Sequence, residues 1–438
     1  MSKARQGNPD LRRAVTPPAP SNEEIEARLR DCLSPGAFTK LKTVKDKTRR
    51  LRDRKLTLPV MVAIMLSLVY RQMGGLSDVL RMLEQEGLMW AGAQLVSRQA
   101  LSDRLKTLPA SLFAHLLEQV LERLHAQRRT EEEIVPASWQ SVQNRFGVVW
   151  LADGSTLEAL AKRLDSLQQH ASGLGGKMMM VVEAFSHRPV ATWYTEDAYV
   201  HDQHWNDVLI ERLPKGGLLI FDLGFFKFVW FDAFTAAQKY FLTRWRQKTA
   251  GKVIRVLSQG PRYRDELLQL GLYRSNPCCY PLRRVSVLWG TTWHVYLTNV
   301  LDPQMLSPQQ VCDLYRQRWR IEEAFFLTKR LLGLAYLWVG GSNGVQIQLY
   351  ATWIFYAVLT DLCADVAVAL HQPLERISVE MVFRSLHHFK AARQQGRADE
   401  LVPFLVQFHK SFGLLKAQRK RHRRINALSL DCWAKTLI

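Results

Sequence analysis

Asp153 directly follows the apolar run Val148–Ala152 and precedes Gly154, while Asp222 directly follows Leu218–Phe221 and stands two residues before Gly224. Both apolar runs read as buried strands, and the carboxyl ends of strands in an α/β sheet are where ligands gather. A carboxylate at such an end sits at the rim of the core, and a glycine beside it leaves room for a substrate backbone to approach. Two of them can hold divalent ions roughly 3.5–4 Å apart, one activating a water or a 3′-hydroxyl and the other stabilising the leaving oxygen. Taken singly, each Asp-Gly is also what an ordinary turn looks like.

A third carboxylate lies in Tyr315-Arg316-Gln317-Arg318-Trp319-Arg320-Ile321-Glu322-Glu323. Tyr315, Arg318 and Glu322 stand three and four residues apart and share one face of a helix, with Lys329 two turns further along that face. A carboxylate flanked by cations and a tyrosine hydroxyl suits a metal ion that meets phosphate, since Arg and Lys hold phosphate oxygens and Tyr supplies a neutral donor. Glu323 points about 100° away from Glu322 on the same helix. A solvated, salt-bridged helix surface has the same composition. No His pair has metal spacing, and no Ser/His/Asp order suggests acyl transfer.

The elements that must position these groups follow from periodicity. Residues 1–22 are polar and Pro-rich and read as a disordered basic N-terminus. Residues 23–135 read as an all-α, DNA-binding region. It holds a basic stretch from Lys40 to Lys55 and helical segments at Leu58–Tyr70, Leu76–Glu86, Ser97–Leu105 and Ala110–His125. In the third of these, Ser97 is a capping residue, and Arg98 and Arg104 mark a candidate recognition helix; a surface helix with solvated charges would look alike. Residues 136–245 mix strands (146–152, 177–184, 189–193, 218–221, 240–245) with helices at 202–213 and 230–238, an α/β pattern. Residues 246–304 alternate short basic strands (252–257, 282–288, 292–300) with turns, as a β-rich insertion would. One amphipathic helix is expected over 307–332, opened by Ser307-Pro308. It heads the segment 305–390, with further helices near 344–370, 378–392 and 400–412. Residues 391–438 form a helical, basic C-terminal region.

The bulk composition narrows the partner. Sixty Lys and Arg against 40 Asp and Glu leave a net charge of +20 over 438 residues, which favours a polyanion. The apolar runs Leu58–Tyr70 and Leu349–Thr360 fall short of the ~18–20 residues of a spanning helix and read as buried helices, so nucleic acid is preferred to a membrane. The six cysteines show no CxxC or finger spacing, which points to reduced thiols in a cytosolic compartment.

The spacing Tyr-x2-Arg-x3-Glu-x6-Lys is met in full by Tyr315, Arg318, Glu322 and Lys329. With Asp153-Gly154-Ser155 and Asp222-Leu223-Gly224-Phe225-Phe226, it resembles the signature of the bacterial insertion-sequence DDE transposases of the YREK group, the IS-four-like cut-and-paste enzymes, over about residues 75–360. The resemblance implies an RNase H-like catalytic domain in two parts, 136–245 and 305–390, interrupted by the β-rich insertion. Asp153, Asp222 and Glu322 would bind two Mg²⁺, with Mn²⁺ able to substitute, and Tyr315, Arg318 and Lys329 would contact the phosphates of the transposon end. The reaction would be phosphodiester cleavage followed by joining of the 3′-OH ends to target DNA, with a hairpin intermediate known in the group. The partners would be double-stranded DNA, as terminal inverted repeats and target, and a second copy in a synaptic homodimer. The setting would be the bacterial cytoplasm, at the nucleoid, with no membrane.

One departure concerns the tryptophan that hairpin-forming members carry in the insertion to hold a flipped base. Alignment on Leu297-Thr298 puts His294 there; Trp293 next door is the preferred candidate and Trp289 the second. A one-residue shift changes the face of the strand, which a bulge could restore. The alternative to an active enzyme is a catalytically inactive, transposase-derived DNA-binding protein.

Overall fold

The computed structural model describes residues 22–33, 38, 55–128, 137–157, 176–272, 275–334, 337–338 and 341–417. The expected disordered N-terminus, nearly all of the basic stretch from Lys40 to Lys55 and the C-terminal basic run lie outside these residues.

The first helices are α1 (Glu23–Cys32), α2 (Leu58–Tyr70), α3 (Leu76–Gln85), α4 (Arg98–Thr107), α5 (Ser111–Arg128) and α6 (Ala137–Phe146). Their starts follow local chemistry. The Asn22 side chain accepts from the Ile25 amide, the Ser97 hydroxyl from the Ala100 amide, and Pro59 occupies the first turn of α2, where a missing N–H costs nothing. Helix α2 is buried nearly all round, because it packs against α11 (Ser342–Ala369). Helix α11 is long and apolar enough to cross a membrane, longer than its core run Leu349–Thr360 suggested, but 83% of its most apolar window is buried inside the protein. Helices α1, α2, α4 and α5 surround it together with α12 (Val379–Gln394) and α13 (Leu401–Gln407). The amino-terminal helices thus share one core with the chain's last third.

The sheet has nine strands in the order β3-β2-β1-β4-β5-β9-β8-β7-β6. They are β1 (Val149–Thr156), β2 (Lys177–Glu183), β3 (Pro189–Thr195), β4 (Leu218–Phe221), β5 (Tyr240–Arg244), β6 (Gly251–Gly260), β7 (Tyr263–Leu270), β8 (Leu282–Trp289) and β9 (Thr292–Thr298). Strands β1 to β3 form an antiparallel meander, whereas β4 and β5 run parallel to β1. Helices α7 (Asn206–Arg212) and α8 (Phe228–Ala236) precede β4 and β5 respectively. The four strands from residue 251 to 298 form a second antiparallel meander whose last strand pairs with β5, so the two halves make one continuous sheet.

Strand β7 was not anticipated. Its residues Asp265 and Glu266 are fully buried, which a run of acidic and helix-forming residues does not announce, and each is matched by an arginine on β8. Arg283 pairs with Asp265 through two contacts of 2.8 Å, and Arg284 reaches Glu266 at 2.6 Å. Arg283 also donates to the Leu306 carbonyl at 2.6 Å, tying the meander to the segment that enters the next helix.

The single helix expected over 307–332 is three consecutive pieces. They are α9 (Pro308–Gln317), α10 (Trp319–Phe326) and a π-helical turn, Leu327–Leu331. A capping box between Ser307 and Gln310 starts α9. Arg318 keeps helical dihedrals, but its amide bonds to the Tyr315 and Arg316 carbonyls, which interrupts the ladder. The π turn forms where the Leu332 amide reaches back to Leu327 and the Thr328 hydroxyl takes the Ala324 carbonyl. Such widened turns concentrate at functional sites.

Candidate active site

The register of β1 and β4 puts the first two carboxylates side by side. The parallel pairing ends at Ala152↔Phe221, so Asp153 and Asp222 are the next residues on adjacent strands. Ala152 and Phe221 point into the core cluster that holds Phe225 and Trp230, and alternation sends Asp153 and Asp222 to the other face, where α9 and α10 lie. Strand β1 does not end at Ala152 as expected; it continues through Asp153 to Thr156 because β2 still pairs with it, to Thr156↔Lys177. Asp222 does end its strand, and its side chain accepts from the Leu223 amide at 2.6 Å.

The helix supplies the remaining groups. Arg318 Nη1 lies 3.1 Å from Asp153 Oδ2 and Nη2 lies 2.9 Å from Glu322 Oε1, so one guanidinium bridges two of the three carboxylates. The Tyr315 hydroxyl donates to Asp222 Oδ1 at 3.4 Å. Lys329 Nζ reaches the Ser155 hydroxyl at 2.6 Å and the Thr156 carbonyl. Lys329, carried on the π turn, thus reaches the end of β1. All six residues singled out by spacing, Asp153, Asp222, Tyr315, Arg318, Glu322 and Lys329, therefore converge at the junction of β1, β4 and the broken helix.

The other candidates lie elsewhere. Arg98 is exposed on α4, and Arg104 on the same helix donates to the Leu56 carbonyl at 3.1 Å. On β9, Trp293 alternates with His294 and Tyr296 and so faces away from them. It is Tyr296 that contacts the Tyr315 ring, at 5.2 Å between centroids. Trp289 is the tryptophan on the α9 side: the Arg316 guanidinium lies 3.6 Å from its ring centre, and His294 touches it.

A fourth carboxylate, Asp202, was not found from the sequence. It begins a short 3₁₀ turn that leads into α7, at the head of the segment 202–213 expected to be helical, where nothing in the spacing marks a site. Its Oδ1 is 2.8 Å from Lys177 Nζ. Burial pushes the Asp153 carboxyl up to about 7; the Arg318 charge opposes this, and the charges of Asp202 and Asp222 add to it. Burial likewise raises the Tyr315 phenol, and the Asp222 charge adds to that, which keeps the hydroxyl a neutral donor.

Asp153, Asp222 and Glu322 offer only carboxylate oxygens, a hard donor set that fits Mg²⁺ or Mn²⁺. Among the described residues no three His, Cys, Asp or Glu side chains are close enough to grip one ion as they stand. Arg318 stands between Asp153 and Glu322, where their negative charge would serve a cation.

Residues 148–357 match the family described as transposase DDE domain, and this span contains every residue of the cluster. The chain is 28% identical over 172 residues to a protein of Sinorhizobium fredii named "Putative transposase y4zB". That match takes in 36% of this chain and about half, 47%, of the relative. Among solved structures, the piggyBac transposase synaptic complex with hairpin DNA aligns over 95% of this chain and 88% of its own at 9% identity, with a TM-score of 0.37, too loose a likeness to carry an argument.

Proposed function

We propose that this chain is a DNA transposase of the DDE type that cleaves phosphodiester bonds at the ends of its element and joins the 3′-OH ends to target DNA. One observation carries the proposal: three carboxylates far apart in sequence, one within β1, one just after the adjacent β4 and one on the helix, are gathered round Arg318 and Tyr315, with Lys329 at the end of β1. The match of residues 148–357 to a transposase domain supports it. An RNase H-like core is supported by the first acid lying on the first strand, the second after the fourth, and the third on the helix beyond an inserted meander.

In this proposal Asp153, Asp222 and Glu322 hold two Mg²⁺ ions, which when bound supply an activated oxygen nucleophile and charge stabilisation for the leaving oxygen. The protein's own groups do the rest. Arg318 offers its guanidinium to a non-bridging phosphate oxygen, leaving the carboxylates it bridges in the DNA-free chain. Tyr315 donates a neutral hydrogen bond from beside Asp222. Lys329, anchored at the end of β1, sets a fixed positive charge for the next phosphate. The net charge of +20 attracts duplex DNA, with Arg98 and Arg104 on α4 proposed as DNA contacts. Trp289, on the α9 side of the inserted meander, replaces Trp293 as the candidate to hold an unpaired base, and a second copy would bring two ends together.

The test is cleavage of DNA carrying the element's own ends, in Mg²⁺, by the wild type and Glu322→Gln. The substitution keeps the shape and removes the charge, so the variant should bind the ends and leave them uncut. Cutting at the wild-type rate by the variant would overturn the carboxylate assignment, and binding without cutting by both proteins would mark a silent DNA-binding protein.

A further inference from the structure

The two glycines beside the catalytic aspartates are not there for backbone freedom. Neither Gly154 nor Gly224 has a positive φ, so any residue could adopt their conformations. What excludes a side chain at both is the same group. A Cβ on Gly154 would lie 2.1 Å from Asp202 Oδ1, and one on Gly224 would lie 2.4 Å from Asp202 Oδ2. The space expected to admit a substrate backbone is filled by a carboxylate of the protein itself, with one oxygen against each glycine.

Asp202 is held there by a lysine of β2 on the same face. Lys177 pairs with Thr156 across the β1–β2 ladder, and its ammonium donates to the Val200 carbonyl at 2.8 Å and lies 2.8 Å from Asp202 Oδ1. Gln203, the next residue, donates to the Phe226 carbonyl at 3.3 Å, just past the Asp222 turn. The 3₁₀ turn Asp202–Trp205 is therefore pinned to both strand ends. Trp205 is buried in the core cluster beneath them.

We propose that Asp202 is a positioning residue of this active site, a wedge between the Asp153 and Asp222 strand ends that sets the spacing of the two carboxylates. The paired register of β1 and β4 stops one residue before these aspartates, so they are not themselves a paired position of the ladder. Contact of both ends with one short, ion-paired side chain adds the constraint that the register lacks there. Groups that orient ligands in this way typically change metal affinity when lost. The inference rests on the transposase reading only in taking Asp153 and Asp222 as the groups that hold the divalent ions.

The test uses the full chain without DNA and reads Mn²⁺ binding by the loss of the free-ion EPR signal, with thermal melting in parallel. Asp202→Ala should weaken Mn²⁺ binding roughly tenfold or more, whereas Asp202→Asn, which keeps the wedge's shape, should weaken it by less than about threefold. Equal loss in both would make Asp202 an ion ligand and overturn the positioning role; wild-type affinity in Asp202→Ala would overturn it outright. Gly154→Ala should lower the melting temperature in the wild type and add little further in Asp202→Ala, because the atom it strikes is gone. Simple addition of the two losses would refute the wedge. Glu322→Gln separates the two levels of the argument. If it weakens Mn²⁺ binding while Asp202→Ala does not, only the wedge fails; if neither does, the ion-binding reading of the site fails as well.

Discussion

Arg318→Gln should make the protein bind divalent ions more tightly and cleave DNA worse. Arg318 is 8% exposed and bridges Asp153 at 3.1 Å and Glu322 at 2.9 Å, so its charge occupies the field that a cation would use. A pair of unit charges about 4 Å apart is worth about 4 kcal/mol at an effective dielectric of about 20. The Glu322 side chain is 38% exposed, so most of its share is lost to solvent. A net competition of about 2 kcal/mol remains, or roughly thirtyfold in Mn²⁺ affinity without DNA. Loss of a preorganised donor to the reacting phosphate should cost roughly 10²–10³ in cleavage rate. Stability gives a further signature. The Asp153 carboxyl, already pushed up to about 7, rises further when its partner is removed. A group whose pKa is raised by folding contributes stability below its unfolded pKa and loses it as pH rises through the folded value. The variant's metal-free stability deficit should therefore grow from pH 6 to pH 8, at no more than about 1.4 kcal/mol per unit. Mn²⁺ titrations, cleavage of end-bearing DNA and urea unfolding across that range test the reasoning together. Unchanged or weaker Mn²⁺ binding, or a deficit that is flat with pH, would refute it.

Mn²⁺ binding by the wild type should weaken as pH falls below about 7, because the ion must displace the proton that Asp153 then carries. A titration from pH 8 to 5.5 should approach a tenfold loss per unit at its lower end, and constant affinity across the range would show that Asp153 is not a ligand. Arg283→Met should destabilise the fold by about 3–5 kcal/mol in urea unfolding, since it strands the fully buried Asp265 charge. The double change Arg283→Met with Asp265→Leu should recover much of that loss, and equal losses would mean that the pair is not what holds β7 to β8.

What could be found from the sequence was whatever local chemistry repeats with a period. Asp153 and Asp222 were visible because each caps a run of apolar residues, and the helix group because three- and four-residue spacing puts side chains on one face. The convergence of these groups depends on register, which no local pattern encodes. Strand β7 was missed because Arg-Asp-Glu-Leu-Leu-Gln-Leu reads as helix-forming and solvated, and the partners that let its acids be buried include arginines from another strand. The break at Arg318 and the π turn were missed because both arise from backbone hydrogen bonds within a helical sequence. Asp202 had no signal of its own. The trace it left was indirect: two glycines at positions where the backbone demands none.

The burial of α11 bears on the order in which the chain is made. Helix α2 is apolar on nearly every side, yet its partner begins at Ser342, some 270 residues later in the chain. At about 5–20 residues per second of synthesis, the wait is roughly 10–60 s. Throughout it, the nascent amino-terminal helices hold an uncovered apolar surface that only the last third of the polypeptide can close. A ribosome that stops early would release a sticky fragment rather than a competitor for the DNA ends, so only full-length chains would reach them in usable form.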